Sequence, residues 1–437
     1  MTLNRAGWLN CGGDRGTIRV EIWHRLKDPV QTDRMGAPPL RPQGAEPAAG
    51  GRPGGAGPGG APSGRLQGVE QEGEKTMGKI VIVGSGPAGC SAALYAARAG
   101  QEVVVISMGM GALSKAELVQ NYYGFEEGIT GAELYRQGVA GAKAVGAEFI
   151  TAEVVGLDYT GSLVVQTTEG DYPADAVILA CGGKASPQHG SDGSGYGLLR
   201  ALHIPVTEVF PSLVQITTEP KRVKALKGMR VHAEISLSAG RETLASQRGE
   251  IQFTEFGLSG IAAMQLSRFV SLEKGRRMEA VLDLLPAFSH GQAADYLAGR
   301  IRHNPELAAE HLLTGLLPKR VGQVLLKQAG IDLLSRPIGS LQKAELGAVA
   351  GLLKGWRFPA TGTRGFSAAQ VTIGGAQRAA FQPETMEALS QPGFYAAGEV
   401  LDVDAGCGGF NLQWAWSSGR LAGRSAAQKL IKGQAAG

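Results

Sequence analysis

Residues 79–106 run as an apolar strand, a glycine turn, a small-residue helix and a second apolar strand, and few folds accept that order of elements at that spacing. Ile80–Val83 is an unbroken apolar stretch suited to a central parallel strand. Gly84, Gly86 and Gly89 then fill the three positions of a G-x-G-x-x-G dinucleotide fingerprint. Gly84 permits the tight turn, Gly86 lets a pyrophosphate approach the backbone, and Gly89 lets the helix lie close to the strand. A helix over 88–99 follows, its N-terminal amides aimed at the phosphates, and Gly100 stops it. Ser85, Pro87 and Ala88 belong to the same cradle. The acidic residue that should close the second strand and hold the adenosine ribose is absent, and Ser107 stands in its place, followed by Met108 and Gly109. Either Ser107 with backbone groups holds the ribose, or a carboxylate comes from elsewhere. Glu102 lies at the wrong end of that strand.

The chain has 437 residues, long enough for two or three domains, but residues 1–76 stand apart. Between 36 and 64, 17 of 29 residues are Gly or Pro, a composition that buries too little apolar area to offset its ordering entropy. Residues 1–76 are therefore expected to be a disordered extension, with Met77 the natural start of the protein. No apolar run reaches the ~18–20 residues that span a bilayer, and the N-terminus has no secretory core, so a cytoplasmic protein with no membrane partner is expected. The four cysteines, Cys11, Cys90, Cys181 and Cys407, lack metal-ligand or C-x-x-C spacing, which argues against a metal site or dithiol. Cys181 and Cys407 are expected to pack. A formal charge of +4 without a basic stripe makes nucleic acid an unexpected partner and a small molecule the expected one.

Further along, Thr130 opens a helix to about 144, with Glu133 placed to complete a capping box. Strands are expected near 152–157, 162–168 and 176–180, the last running into Cys181-Gly182-Gly183. The stretch 204–365 changes character, with short strands at 213–218, 231–237, 250–254 and 278–284 and helical periodicity over 292–330 and 341–355. It reads as an inserted β-barrel with a small helical domain. Residues 253–260 form either a site loop or a structural turn, and the glycines at 193–197 read as a loop. The fold class is thus α/β; with both ends in view the chain resembles the two-dinucleotide-domain flavoproteins, which implies a discontinuous Rossmann-like FAD-binding domain in parts 77–203 and 366–437 around the insertion at 204–365. In the last part, residues 393–420 read as strand, acidic turn, glycine loop and helix, the helix reaching about 432. Glu399 can accept from a sugar or ribityl hydroxyl, and the amides of 408–412 form a second helix N-terminus able to stabilise charge on a reduced flavin.

Four motifs make the stretch 174–422 resemble one family. They are Ala176–Pro187, Gly190–Tyr196, Phe253–Gly260, and Gly398–Asp404 with Gly408–Ala415. It is similar to the bacterial FAD-binding oxidoreductases of the BaiN-like, or aminoacetone oxidase, family. The resemblance implies FAD contacts at Gly84, Gly86, Gly182, Gly398, Glu399, Gly409, Phe410 and Asn411; Val154, Ala180 and Leu412 complete the expected set. The N-terminal part departs from that family and looks like thioredoxin-reductase-type flavoproteins at 112–125 and 129–134. The expected function is hydride transfer through flavin N5, with NADH or NADPH reducing an activated C=C. Alternatives are a flavin-dependent amine oxidase, or an FAD-binding sensor or RNA-modifying protein. No catalytic residue is assigned; Tyr196 and His189 are proton-donor candidates only by adjacency to Gly182.

Overall fold

The computed structural model describes residues 77–160, 162–273 and 275–436. The chain separates into two units, 1–71 and 72–437, and all described residues lie in the second. The expected disorder of 1–76 falls outside them.

At its centre is a five-stranded, wholly parallel sheet. Lys79–Val83 lies between Glu102–Ser107 and Ala176–Leu179; Glu148–Thr151 and Phe394–Ala396 form the edges. Ile80, Val81 and Ile82 are fully buried, as a strand covered on both faces requires. Between 151 and 176 the chain makes an antiparallel meander of Val154–Asp158, Leu163–Thr167 and Gly170–Ala174.

The chain leaves this domain through Phe210–Ser212 and returns through Val371–Ile373, which pair antiparallel with each other. Between them lies a seven-stranded antiparallel sheet whose outermost strands are Trp356–Ala360 and Gly362–Thr363. These are consecutive in sequence. Their common run pairs with Met278–Asp283 in its first half and with Ile216–Thr217 in its second, closing the sheet into a barrel. Phe253, Trp356 and Phe358 fill the interior with ring centroids 5.0–5.8 Å apart. The expected helical span 292–330 resolves into His290–His303 and Lys319–Gln328, because Pro305 and Pro318 interrupt the ladder. Strand Glu242–Phe253 begins well before the expected 250. Residues 254–257 form a tight turn in which Thr254 N–H donates to Gly257 O at 2.8 Å, the structural reading of that loop.

Two further expectations are corrected. Thr130 Oγ1 accepts from Glu133 N–H at 3.1 Å, but the Glu133 carboxylate turns to Arg136 and Gln137, so the capping box is half made. The glycines near 193–197 start a helix, Gly195–Ala201, rather than a loop.

The fingerprint helix, Pro87–Arg98, packs on the C-terminal helix, Phe410–Ala436, through small residues. A Cβ at Gly419 would lie 2.1 Å from Ala88 O, and one at Gly423 would lie 2.2 Å from Ala92 O. Both contacts are with backbone, so neither can relax by a side-chain rotation. Gly423→Val is therefore expected to cost about 3 kcal/mol in urea unfolding, as overpacking against a rigid neighbour does. The matched order, 88 with 419 and 92 with 423, makes the two helices run in the same direction. The C-terminal helix then starts eight residues, about 12 Å, beyond the start of the fingerprint helix.

Candidate active site

The glycine turn has the geometry its sequence predicts. Gly84 has φ +103° and its Cβ would meet Ala180 O at 2.4 Å, while a Cβ at Gly89 would fall 1.8 Å from Gly84 O. Gly86 differs: a Cβ there meets nothing within 4 Å, so it faces open space at the start of the helix. Turn and helix close tightly on one side and stay clear on the other, which leaves open room at a helix N-terminus, where anions are favoured. Ala88 lies against the next motif, since a Cβ at Gly398 (φ +79°) would approach the Ala88 Cβ to 2.9 Å. Pro87 occupies the first helical turn.

Ser107 sits at the carboxyl end of its strand, where its hydroxyl donates to Ser85 Oγ at 2.8 Å. Ser85 Oγ is also 2.9 Å from the Tyr135 hydroxyl and 3.1 Å from Gly109 O. Three neutral hydroxyls thus stand where a carboxylate would close the strand. Tyr135, on helix Gly131–Lys143, has no sequence signal of this role. Val154 opens the meander beside the same sheet edge.

On the other side of the turn, Ala180 N–H donates to Val83 O at 2.8 Å and carries the chain to Gly182, which has φ +78°. There the loop 183–186 meets the returning strand. The Lys184 and Ala185 amides donate to Thr372 Oγ1 at 2.8 and 2.9 Å, and Thr372 N–H donates to Glu399 Oε1 at 3.0 Å. Gly183 packs closely on both, since a Cβ there would lie 2.4 Å from Glu399 Oε1 and 2.8 Å from Thr372 Cβ. Glu399 thus already has a backbone partner in the fold. Burial pushes its carboxyl up to about 7 against the opposing Thr372 bonds, with the nearby Asp404 carboxyl adding to the rise.

The N-terminus of the C-terminal helix carries Gly409, Phe410, Asn411 and Leu412. Gly409 has φ +88° and lies beside the Asn121 side chain, 3.3 Å from where its Cβ would stand. Phe410 is 61% exposed, an open aromatic face at this end of the helix. Asn411 faces the preceding loop instead: its amide accepts from Ala405 N–H and donates to Ala405 O, both at 2.9 Å. The same helix pins the Gly398 turn, with Trp414 Nε1–H on Gly398 O at 3.1 Å and Ser418 Oγ accepting from Gly398 N–H at 2.9 Å. Tyr122 stacks on Trp416 with centroids 4.5 Å apart. A cavity of about 380 Å³, lined by Gly86, Pro87, Leu113, Tyr122, Tyr135 and Trp416 among others, opens beside this stack.

The two proton-donor candidates part company. Tyr196 is 3% exposed and its hydroxyl has no partner among the described residues; burial pushes its pKa up. His189 stays half-buried, 3.4 Å from Ser114 Oγ. Among the thiols, Cys181 is packed against Gly195 and raised to about 12 by burial, whereas Cys407 is exposed, contrary to its expected packing role. Among the described residues no group of three or more potential ligands could hold a metal, and no helix is long and apolar enough to cross a membrane.

Residues 78–203 match the family of pyridine nucleotide-disulphide oxidoreductases, and residues 210–371 match the HI0933-like protein barrel and H2TH domain. Fold, glycine turn and these matches together are similar to those of FAD-binding flavoproteins of the oxidoreductase class. Within that class the chain is similar to the BaiN-like proteins, and its N-terminal segment is similar to thioredoxin reductases. It is 38% identical over 260 residues to the 3-dehydro-bile acid delta(4,6)-reductase of Clostridium scindens, covering 59% of this chain and 63% of that one. It is 30% identical over 258 residues to the ribosomal RNA dihydrouridine synthase of Haemophilus influenzae, covering 58% and 61%. The thioredoxin reductase of Streptomyces coelicolor is 41% identical over 108 residues, covering 24% and 34%. Each match thus spans less than two thirds of the relative's length.

The residues present fit FAD. Gly84, Gly86 and the first turn of the fingerprint helix would take the pyrophosphate, with Ser107, Ser85 and Tyr135 beyond it toward the ribose. Gly182, Gly398 and Glu399 would line the ribityl side, and the amides of 408–412 would face the ring.

Proposed function

We propose that this protein reduces a carbon–carbon double bond conjugated to a carbonyl, taking its electrons from NADH or NADPH by way of FAD. The carrying observation is the pair of co-directional helix N-termini, offset by about 12 Å along their axes, which gives one site for the pyrophosphate and another for charge farther along an extended cofactor. FAD when bound supplies two-electron chemistry, accepting a hydride and passing it to a carbon acceptor. The protein's share is placement. The fingerprint amides fix one end, Gly398 and the Thr372–Glu399 link hold the middle, and the amides at 408–412 favour negative charge at the other end.

The names of two relatives support the acceptor class. A delta(4,6)-reductase of a 3-dehydro bile acid and a dihydrouridine synthase both saturate a double bond conjugated to a carbonyl, in a steroid ring and in a uracil ring. The second of these brings RNA back as an acceptor despite the modest net charge, so a uracil ring is the second reading. Neither the expected packing of Cys181 nor the spacing of the cysteines offers a dithiol, which disfavours thioredoxin as substrate.

The test is the visible spectrum of the FAD-loaded protein during anaerobic titration with NADH or NADPH. Bleaching by one nucleotide, followed by recovery on adding an enone or uridine, is the expected result. A band that persists with both nucleotides overturns the reading in favour of an amine oxidase or a non-catalytic FAD protein.

A further inference from the structure

The segment that departs from the BaiN-like pattern, residues 111–125, delivers one cation to the junction of the cofactor motifs. Lys115 ends the short helix Gly111–Lys115, which packs against the turn Pro187–His189. Its ammonium donates to Ser186 Oγ at 2.9 Å and to Ala369 O at 3.4 Å. Ser186 is itself clamped: it is fully buried, holds φ +60°, donates from Oγ to Ala369 O at 2.8 Å and from N–H to Phe366 O at 2.9 Å. A non-glycine residue kept left-handed by its surroundings marks a place where position is over-determined. Three residues upstream, Gly183 touches Glu399 and Thr372. Lys115 therefore reaches the loop that joins the second glycine motif, the returning strand and the Gly398-Glu399 turn.

Its charge has no counter-ion among the described residues. Both acceptors are neutral, and Lys115 makes no ion pair among the described residues, while Lys184 is occupied over the Phe366 ring at 5.0 Å. An ammonium has three N–H donors, and two are used. The side chain stays solvent-accessible, so the third donor is available to a ligand. Partial burial lowers its pKa, a sign that water does not fully solvate the charge.

We propose that Lys115 is a catalytic residue: its free N–H donates to the carbonyl oxygen of the conjugated acceptor. This rests on the acceptor class proposed above. A hydride, supplied by NAD(P)H through the flavin, forms a C–H bond at the β-carbon. The C=C electron pair shifts to form the enolate, placing negative charge on the carbonyl oxygen. A proton from water then bonds the α-carbon and the C=O is restored. The nicotinamide is oxidised and the double bond reduced by the same two electrons. The ammonium matters at the middle stage, where a preorganised donor meets developing charge.

The experiment compares wild type, Lys115→Met and Lys115→Arg, each loaded with FAD, reduced anaerobically and mixed in stopped flow with 2-cyclohexenone, uridine or ferricyanide. Ferricyanide takes electrons without a carbonyl. In Lys115→Met, reoxidation by the responsive carbonyl acceptor is expected to slow roughly 100-fold, the scale of losing one donor to an oxyanion. Ferricyanide reoxidation, the flavin spectrum and the melting temperature should stay at wild-type values, and Lys115→Arg should recover at least about a tenth of the rate. Unchanged carbonyl reduction in Lys115→Met, or equal slowing with ferricyanide, overturns the role of Lys115 while leaving the acceptor class standing. A wild-type protein reoxidised by ferricyanide but by neither cyclohexenone nor uridine overturns the acceptor class and this role with it.

Discussion

Gly86→Ala is expected to yield a folded protein that has lost FAD, and Gly89→Ala a protein that does not fold. The two positions lie three residues apart in one motif, yet what a methyl group meets at each differs completely. At Gly86 the backbone is ordinary for alanine, with φ −63° and ψ −174°, and nothing lies within 4 Å of the added carbon. Unfolding free energy should stay within about 1 kcal/mol of wild type, since a poorer helix cap is offset by a less flexible unfolded chain. The methyl group instead enters the space a pyrophosphate needs, and FAD affinity should fall roughly 100-fold, about 2.7 kcal/mol. At Gly89 the added carbon would sit 1.8 Å from Gly84 O and 2.9 Å from Gly84 C, with Ile82 Cγ2 at 3.6 Å. The helix must then lift from the strand and open the core around Ile80–Val83. Urea unfolding of the FAD-free proteins with FAD binding by fluorescence quenching separates the two. Equal FAD affinity in Gly86→Ala and wild type would remove the cradle from the site.

That contrast also shows which parts of this molecule can be read from its sequence. The strand–turn–helix is legible because its constraints are local: Gly89 answers to an atom five residues away and Gly84 to the neighbouring strand. The packing of Gly419 and Gly423 on Ala88 and Ala92 joins positions some 330 apart, and in the sequence those glycines are only small residues in a helix. Barrel closure is hidden for a similar reason. A single run, 356–363, serves both edges of the sheet, and its pattern shows only that it is a strand. The absence of an acid at Ser107 was readable, but its answer, a hydroxyl group from Tyr135, comes from another helix. Asn411 fits the motif by position, yet its amide is spent on Ala405, a contact decided by the shape of the loop. Cys407 reads as a packing residue because it is not spaced as part of a dithiol, yet it turns outward with the exposed glycine loop around it.

Glu399 should make stability and FAD affinity respond to pH in opposite directions. Its carboxyl stands near 7 in the folded protein against an ordinary 4.5, chiefly because burial disfavours the charged form. A raised folded-state value means that the native protein holds this proton more tightly than the unfolded chain does. The contribution is complete below about 4.5 and is lost as pH rises through 7. With 1.36 kcal/mol for each pH unit, the difference amounts to at most about 3 kcal/mol. Asp404 is shifted upward as well, so the wild-type curve alone mixes two groups. The difference between wild type and Glu399→Gln isolates the one. FAD-free wild type is therefore expected to lose up to about 3 kcal/mol relative to Glu399→Gln between pH 5 and pH 8 in urea unfolding. A hydroxyl donated by the ribityl chain would favour the ionised carboxylate, so FAD should bind more tightly at pH 8 than at pH 5 and release a proton as it binds. Glu399→Gln should remove the Glu399 part of both pH dependences. A variant that flattens stability but leaves the pH dependence of FAD binding intact would keep the buried acid and remove its contact with the cofactor.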